Sequence, residues 1–475
     1  MRGTLLWGIS IFLMPGPLSV PYSVRSLAPA DTDSVTVAIV TGDSLAGMEI
    51  NGEYIQYIVG RVQVVQDSTQ LASHRAERNV TLRESIFIGS VSTVDRGDTL
   101  LADTLLYDEA NKVGRASGNV QLTDGDVVAY ATTGWYAVEE KRAEFPDGLR
   151  LVDSTAVVTG LVGEYWTQEK RAELAGDVHL GSEEWSLWAD SLTHLRVSRV
   201  SVARSNVVLA QASDTDSIYI FGEWARRNEE SGHSNVTGQP LLMQLSRDSV
   251  GTAAIQSPDT LLVRASELNL REDAGGRRHL TATRNVRVWR QQVAAVADSM
   301  VFIQREEELD VLWLFGMPVV WVEDTQVAGD TVKIVLDGGD VDSLLAFGNA
   351  FVAQMDSITG RINQARGRSL IGSYGADSIS VFTLRPNAEV LYFNKDNDDA
   401  PDGALQASGD EVQVVFKENT LQTFRFGIDI QGTRYPETGL PNPLGLQGVR
   451  WIPDGRPKRA VLLADSVARQ NMPNP

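Results

Sequence analysis

Four aspartates, Asp103, Asp190, Asp298 and Asp330, recur at equivalent places in the chain, inside stretches such as Leu101-Ala102-Asp103-Thr104-Leu105-Leu106-Tyr107. A ladder of carboxylates could cleave glycosidic bonds as acid and base if neighbours drove their acidities apart. None of the four has a distinct partner. An Asp that opens a strand also serves by hydrogen-bonding local backbone, as in an Asx turn. The five histidines, His74, His179, His194, His233 and His279, do not fall at metal-ligand spacing. The acidic run Asp396-Asn397-Asp398-Asp399-Ala400-Pro401-Asp402-Gly403 has the charge for calcium. However, Ala400 replaces an oxygen ligand and Pro401 stands where an EF-hand loop needs Gly. A solvated hairpin tip accounts for it better. The absence of cysteine removes disulfides, thiolate metal sites and thiol nucleophiles. No Gly-x-Ser-x-Gly elbow, Walker loop or His-Glu-x-x-His occurs. Asn79-Val80-Thr81 and Asn235-Val236-Thr237 match the glycosylation sequon, a triplet too common to carry weight. The residues thus point to no catalytic group, no metal and no cofactor.

The elements that would hold such groups form a repeat. Gly118-Asn119-Val120, Asp147-Gly148-Leu149, Gly176-Asp177-Val178 and Ser205-Asn206-Val207 each read as two turn residues followed by an apolar one, at a spacing of 29 residues. A fixed period with constant chemistry marks a repeat architecture. Looser copies centre on Asn79, Gln239, Asn285, Met317, Asn349, Asn387 and Asp429, with intervals of 32 to 46 residues between them. That makes about eleven copies, a number that rests on the repeat pattern itself. Asn, Asp and Gly tolerate positive φ, so the recurring Asn is read as a turn device. The flanking residues alternate with period two: Val412, Val414 and Phe416 against Glu411, Gln413 and Val415, and Val286 and Val288 against Arg287 and Trp289. Alternation of this kind gives strands with one buried face, and predicts an all-β chain of about 20 short antiparallel strands.

Composition bounds the partners. A net charge of -20 argues against nucleic acid, whose phosphates call for clustered Lys and Arg. Residues 1–30 read as a secretory signal peptide: Arg2, the ten-residue apolar run Leu5–Met14, the breaker Pro15-Gly16-Pro17 and the small residues Ala28-Pro29-Ala30. Ten residues are too few to span a bilayer of ~30 Å, so the mature chain is expected to be exported and not membrane-spanning. The expected organisation continues with a polar linker over 31–57, regular repeats over 58–210, looser repeats over 211–435 and a proline-rich tail over 436–475, with Trp451 docked on the body. Strands with one apolar face must close over that face. Val120, Leu122, Leu149, Val178, Leu180, Val207, Leu209, Val286, Val288, Val319, Trp321 and Phe351 are the residues expected to point inward. A core and a lipid groove have the same composition, so this pattern leaves both open.

Ala102-Asp103-x-Leu105-x-Tyr107-Asp108 followed by Ala116-x-Gly118-Asn119-Val120-x-Leu122 resembles the repeat of the LptA/OstA-like family. The same holds for Gly163-Glu164-Tyr165 through Ala172-x-Leu174-x-Gly176-Asp177-Val178. Gly238-Gln239-Pro240-Leu241-Leu242, Asp259-Thr260-Leu261, Ile362-Asn363-Gln364-Ala365-x-Gly367 and the Trp451-Ile452-Pro453 tail with Arg456-Pro457 are similar to the longer OstA-like proteins of Bacteroidota-type bacteria. The likeness covers about residues 50–460. It implies an elongated twisted β-jelly roll, a location in the periplasm and a non-enzymatic role in carrying lipopolysaccharide, or another amphipathic lipid, between membranes. It also implies partners of the same jelly-roll fold, joined through edge strands. Two other classes compete with this reading. One is a structural or adhesive β-repeat with a filled core. The other is a polysaccharide-acting β-helix, which the variable repeat length counts against.

Overall fold

The computed structural model describes residues 38–464 and Tyr22–Ser23, except 67, 184, 213–215, 247–258, 274–276, 305–308, 338–339, 375–378 and 418–419. The leader reading of 1–30 lies outside these residues apart from Tyr22–Ser23, which bridges Ile39 and Val40. The chain divides into two compact units, Met1–Ser205 and Asn206–Pro475. Both are built almost wholly from antiparallel strands, with the single α-helix Arg459–Ala464 near the end of the described chain.

A left-handed step recurs through the strands. Gly118 and Asn119 have φ of 74° and 48°, and together they face only Thr132, between the pairs Ser117–Thr133 and Val120–Ala131. Two residues opposite one make a β-bulge, which bends its strand and strengthens the local twist. The step recurs at Arg61, Ser90, Asn119, Gly148, Asp177 and Asn206, all at positive φ and all 29 residues apart. Gln239, Asn285, Met317, Asn349, Asn387 and Asp429 continue it, again at positive φ. Asn79 does not belong to the series. It ends the strand Thr69–Asn79, and the copy expected there is replaced by two centred on Arg61 and Ser90.

Hairpin tips keep the same period. Arg83, Lys112, Lys141, Lys170 and Arg199 are left-handed and spaced by 29 residues. The carbonyl oxygens of Arg83, Lys112, Lys141 and Lys170 accept the amides of Glu109, Val138, Thr167 and Arg196, tying each tip to the next.

Two expectations are corrected. Part of the polar segment 31–57 is strand, not linker: Ala38–Thr41 and Ser44–Ile50 both pair with Glu53–Gln66. Gly42 and Gly52 do interrupt the chain, between these strands and in the Asn51-Gly52 turn, but only Gly47 falls within a strand, where it pairs with Gln56. Among the described residues there are 35 strands rather than about 20, because corners cut the chain into pieces such as Arg142–Phe145 and Leu149–Val152.

The tail beyond Tyr435 is a strap across one face of the second unit. Val449 and Trp451 pack on Ala294, Val319, Trp321, Ala328, Phe351 and Ala353. The buried amide of Gln326 donates to the Arg450 carbonyl (2.6 Å) and accepts the Ile452 amide (2.9 Å), bracketing Trp451. Gln364 accepts the Leu446 amide at 2.9 Å.

Candidate functional site

Three of the four recurring aspartates sit against the corners. Asp103 accepts a hydrogen bond from the Asn119 side chain at 2.8 Å, and its Oδ2 lies 2.3 Å from where a Cβ at Gly118 would fall. Asp330 accepts from Asn349 at 3.1 and 3.2 Å and lies equally close to Gly348. Asp298 crowds Gly316 in the same way. These positions therefore require both the aspartate and a glycine whose φ is positive. The carboxylates serve the bulge and are not paired with one another as acid and base.

At the corners the long strands fork. Val128–Ala137 pairs its start with Leu149–Val152 and its end with Arg142–Phe145. Arg171–Ser182 likewise pairs with Val162–Trp166 through one half and with Ala156–Gly160 through the other. Two half-sheets result, and their apolar faces meet. Ala116 precedes the bulge and Val120 and Leu122 follow it, yet all three line one interior cavity of about 110 Å³, with Phe87, Leu105 and Phe145. Its polar end carries Asp95, Asp98 and Lys141, with Lys141 Nζ 3.5 Å from Asp95. Burial raises the pKa of Asp98, against the nearby Lys170.

All twelve residues expected to point inward are buried, but they do not share one face. Val120, Leu122, Leu149, Val178 and Leu180 belong to the first unit, and only the first two of these line its cavity. In the second unit, cross-strand partners share a face, and the pairs run Val288–Ala295–Val320–Val327–Val352–Ala365–Val390. Every residue in that row is at most 4% exposed. Val286 shares this face, two residues from Val288. Val319, Trp321 and Phe351 occupy the opposite face, under the strap. The first and third positions after each bulge centre face inward in Asn119-Val120-x-Leu122 and Asn285-Val286-x-Val288. The same rule gives Val320 after Met317, and Ala350 and Val352 after Asn349. Their neighbours Val319, Trp321 and Phe351 are one residue out of register, which reverses the face. Val62 and Val91, the inward positions of the two additional copies, are buried as well. Counting back by 29 from Val120 finds both.

Two buried polar groups sit beside the apolar interior of the first unit. Asp124, whose side chain is fully buried, is bound by Lys170 (2.6 Å), Tyr165 and Arg196 (3.2 Å). Burial opposes its charge, but these donors hold its pKa down at about 2. His194 is buried with Nδ1 3.0 Å from Ser201 Oγ. Burial pushes its pKa down to about 4; Asp153 raises it and Arg196 lowers it. Neither Ser201 nor His194 is accessible, so this pair is structural. A histidine whose folded pKa is depressed stabilises the fold above pH 6.5, and that stability is lost as pH falls toward 4. The first unit is expected to lose about 3 kcal/mol through this group over that window. Urea midpoints for the parent and for His194→Gln should diverge there, and parallel pH profiles would refute the assignment.

Residues 35–190 match the family model described as OstA-like protein. That segment holds the first unit's strands from Ala38 to the middle of Trp185–Leu195, and its likeness to the LptA/OstA-like family is thereby shown. A comparison with curated proteins finds no match. Among the described residues, no helix is long and apolar enough to cross a membrane.

Proposed function

We propose that this chain is a non-enzymatic lipid-bridge protein of the periplasm. Its OstA-like interior shields acyl chains of lipopolysaccharide, or of a related amphipathic lipid, on the way from the inner to the outer membrane. The observation that carries this reading is the apolar cavity of about 110 Å³ walled by both half-sheets. Each methylene moved from water into such a space gains about 0.8 kcal/mol. The void itself is close in size to one known to take benzene, ~150 Å³, so it accepts only a short piece of chain. Longer chains require the half-sheets to part, and the forks at Val128–Ala137 and Arg171–Ser182 leave each half separately paired when they do.

Partners would join at an edge. Among the described residues, Ser44–Ile50 pairs on one side only, with Glu53–Gln66, and it exposes Leu45, Met48 and Ile50. An unpaired apolar edge strand adds readily to another sheet, so a jelly-roll partner of the same fold suits it.

A photo-crosslinking residue at Val120 and, separately, at Val178 tests the proposal. Mass spectrometry of protein from cells containing lipopolysaccharide should show a lipid adduct at Val120. Folded protein without an adduct at any inward position would end the lipid reading. It would favour a structural or adhesive repeat with a filled core, which the complete burial of Leu180 and Leu187 already resembles.

A further inference from the structure

A trench of about 710 Å³ runs along the second unit between its corner residues and the strap. Val319, Ala328 and Phe351 form its floor, and Val449, Arg450 and Ile452 its far wall. The volume lies within the roughly 300–1,000 Å³ of ordinary small-molecule sites. Its charge runs against that of the chain. Three arginines, Arg366, Arg368 and Arg450, and two carboxylates, Asp330 and Glu389, line it, which leaves it positive on a chain of net charge -20. Both carboxylates are engaged, Glu389 by Arg366 at 2.6 Å and Asp330 by Asn349. Arg366 also donates to the Gln447 carbonyl. The side chains of Arg368 and Arg450 are exposed and make no ion pair among the described residues. Two spare guanidinium groups beside an apolar floor suit a ligand with an anionic head and an apolar tail, since Arg pairs with phosphate or carboxylate through a planar fork of donors.

We infer that this trench is a second, exterior binding site for an anionic amphiphile. Arg368 and Arg450 hold the phosphate or carboxylate head, and the tail lies on Val319, Phe351 and Ile452. The site stands on residues of the second unit alone and does not depend on the interior reading of the first.

Calorimetric titration of the full chain with dodecyl phosphate, below its micellar concentration and at low salt, tests this. In Ala116→Phe protein, whose interior cavity is filled, one molecule should still bind per chain, and its affinity should fall as salt screens the arginines. Arg368→Ala with Arg450→Ala should weaken binding at least tenfold with an unchanged melting temperature, because both side chains are exposed. Ile452→Asp should weaken it separately, through the apolar half. Absence of saturable binding, or an unchanged affinity in the double variant, would overturn the site. So would equally tight binding of the neutral dodecyl maltoside, while competition by inorganic phosphate at equal concentration would reduce it to an ion site. Ala116→Phe, which fills the first unit's cavity, should keep the saturable site that Arg368→Ala with Arg450→Ala removes. Loss of binding in that variant would move the ligand to the interior.

Discussion

Replacing Ala116 by Phe is expected to abolish lipid capture in the first unit while leaving that unit folded. Ala116 is buried and lines the cavity, and its cross-strand neighbour is Gly134. The absence of a side chain at Gly134 keeps the space open, with Phe145 only 3.1 Å from where a Cβ there would sit. A void of about 110 Å³ is close to the ~150 Å³ that accommodates one benzene, so a phenyl ring grown from Ala116 occupies nearly all of it. Overpacking costs about 1–3 kcal/mol, and filling an empty void offsets part of that. The expected result is a lipid adduct at Val120 reduced at least tenfold, with the urea midpoint little changed. Ala116→Leu, which is smaller, should reduce it less. If Ala116→Phe protein carries as much lipid at Val120 as the parent, the cavity is not where the chains go.

The period was legible in the sequence because its chemistry is backbone chemistry. A strand that must turn through left-handed φ selects Gly, Asn and Asp, and Gly118-Asn119, Gly148 and Gly176-Asp177 comply. Gln239 and Met317 stand at looser copies without being favoured turn types, and both are left-handed. Arg61 and Ser90 were not found. Neither is a favoured turn residue, and Asn79 nearby offered the familiar type in the wrong place. The spacing of 29 was the better guide, because it reflects stacked strands of constant length, whereas residue type only lowers the strain at one position.

The inward face was legible wherever the register was kept. Val120 and Leu122 follow Asn119 at the first and third positions, and both line the cavity. Val319, Trp321 and Phe351 lie one residue away from that register and so on the other face. Two buried faces on one strand explain the slip. Val319–Val322 is buried at all four positions, so alternation disappears there and periodicity cannot assign a side. What buries the second face is the strap, held by Gln326 and Gln364 across 82 to 126 residues of sequence. No local pattern marks a glutamine as a hook for a segment that far away. The corner aspartates are similar: their acidity hinted at chemistry, and only the structure places Asp103, Asp298 and Asp330 against neighbouring bulge glycines.

Ending the chain after Tyr435 is expected to destabilise the second unit more than any single substitution in the strap. The truncation uncovers Val319, Trp321, Ala328 and Phe351, together with Leu391 and Ala404, which Leu446 covers. Burying a large apolar side chain contributes about 1.5–3 kcal/mol, so loss of Leu446, Val449 and Trp451 should cost roughly 5 kcal/mol once their partial exposure is allowed for. It also leaves the fully buried amide of Gln326 without the strap, a further penalty of about 1–3 kcal/mol. A deficit of this size corresponds to a melting temperature lower by about 10–20 °C. A contiguous apolar patch would then face solvent and promote association. The truncated protein should bind the dye ANS strongly and elute as larger species at high concentration. Two point variants of the full chain separate the contributions. Trp451→Ala removes packing and should cost about 2 kcal/mol, given that the side chain is only partly buried. Gln326→Leu keeps the volume but strands the Arg450 carbonyl and Ile452 amide, and should loosen the strap to proteolysis near Gly448 before it lowers the melting point of the sheet. A truncated chain that melts with the parent and binds no extra dye would show that the strap only lies on the surface and does not hold the second unit together.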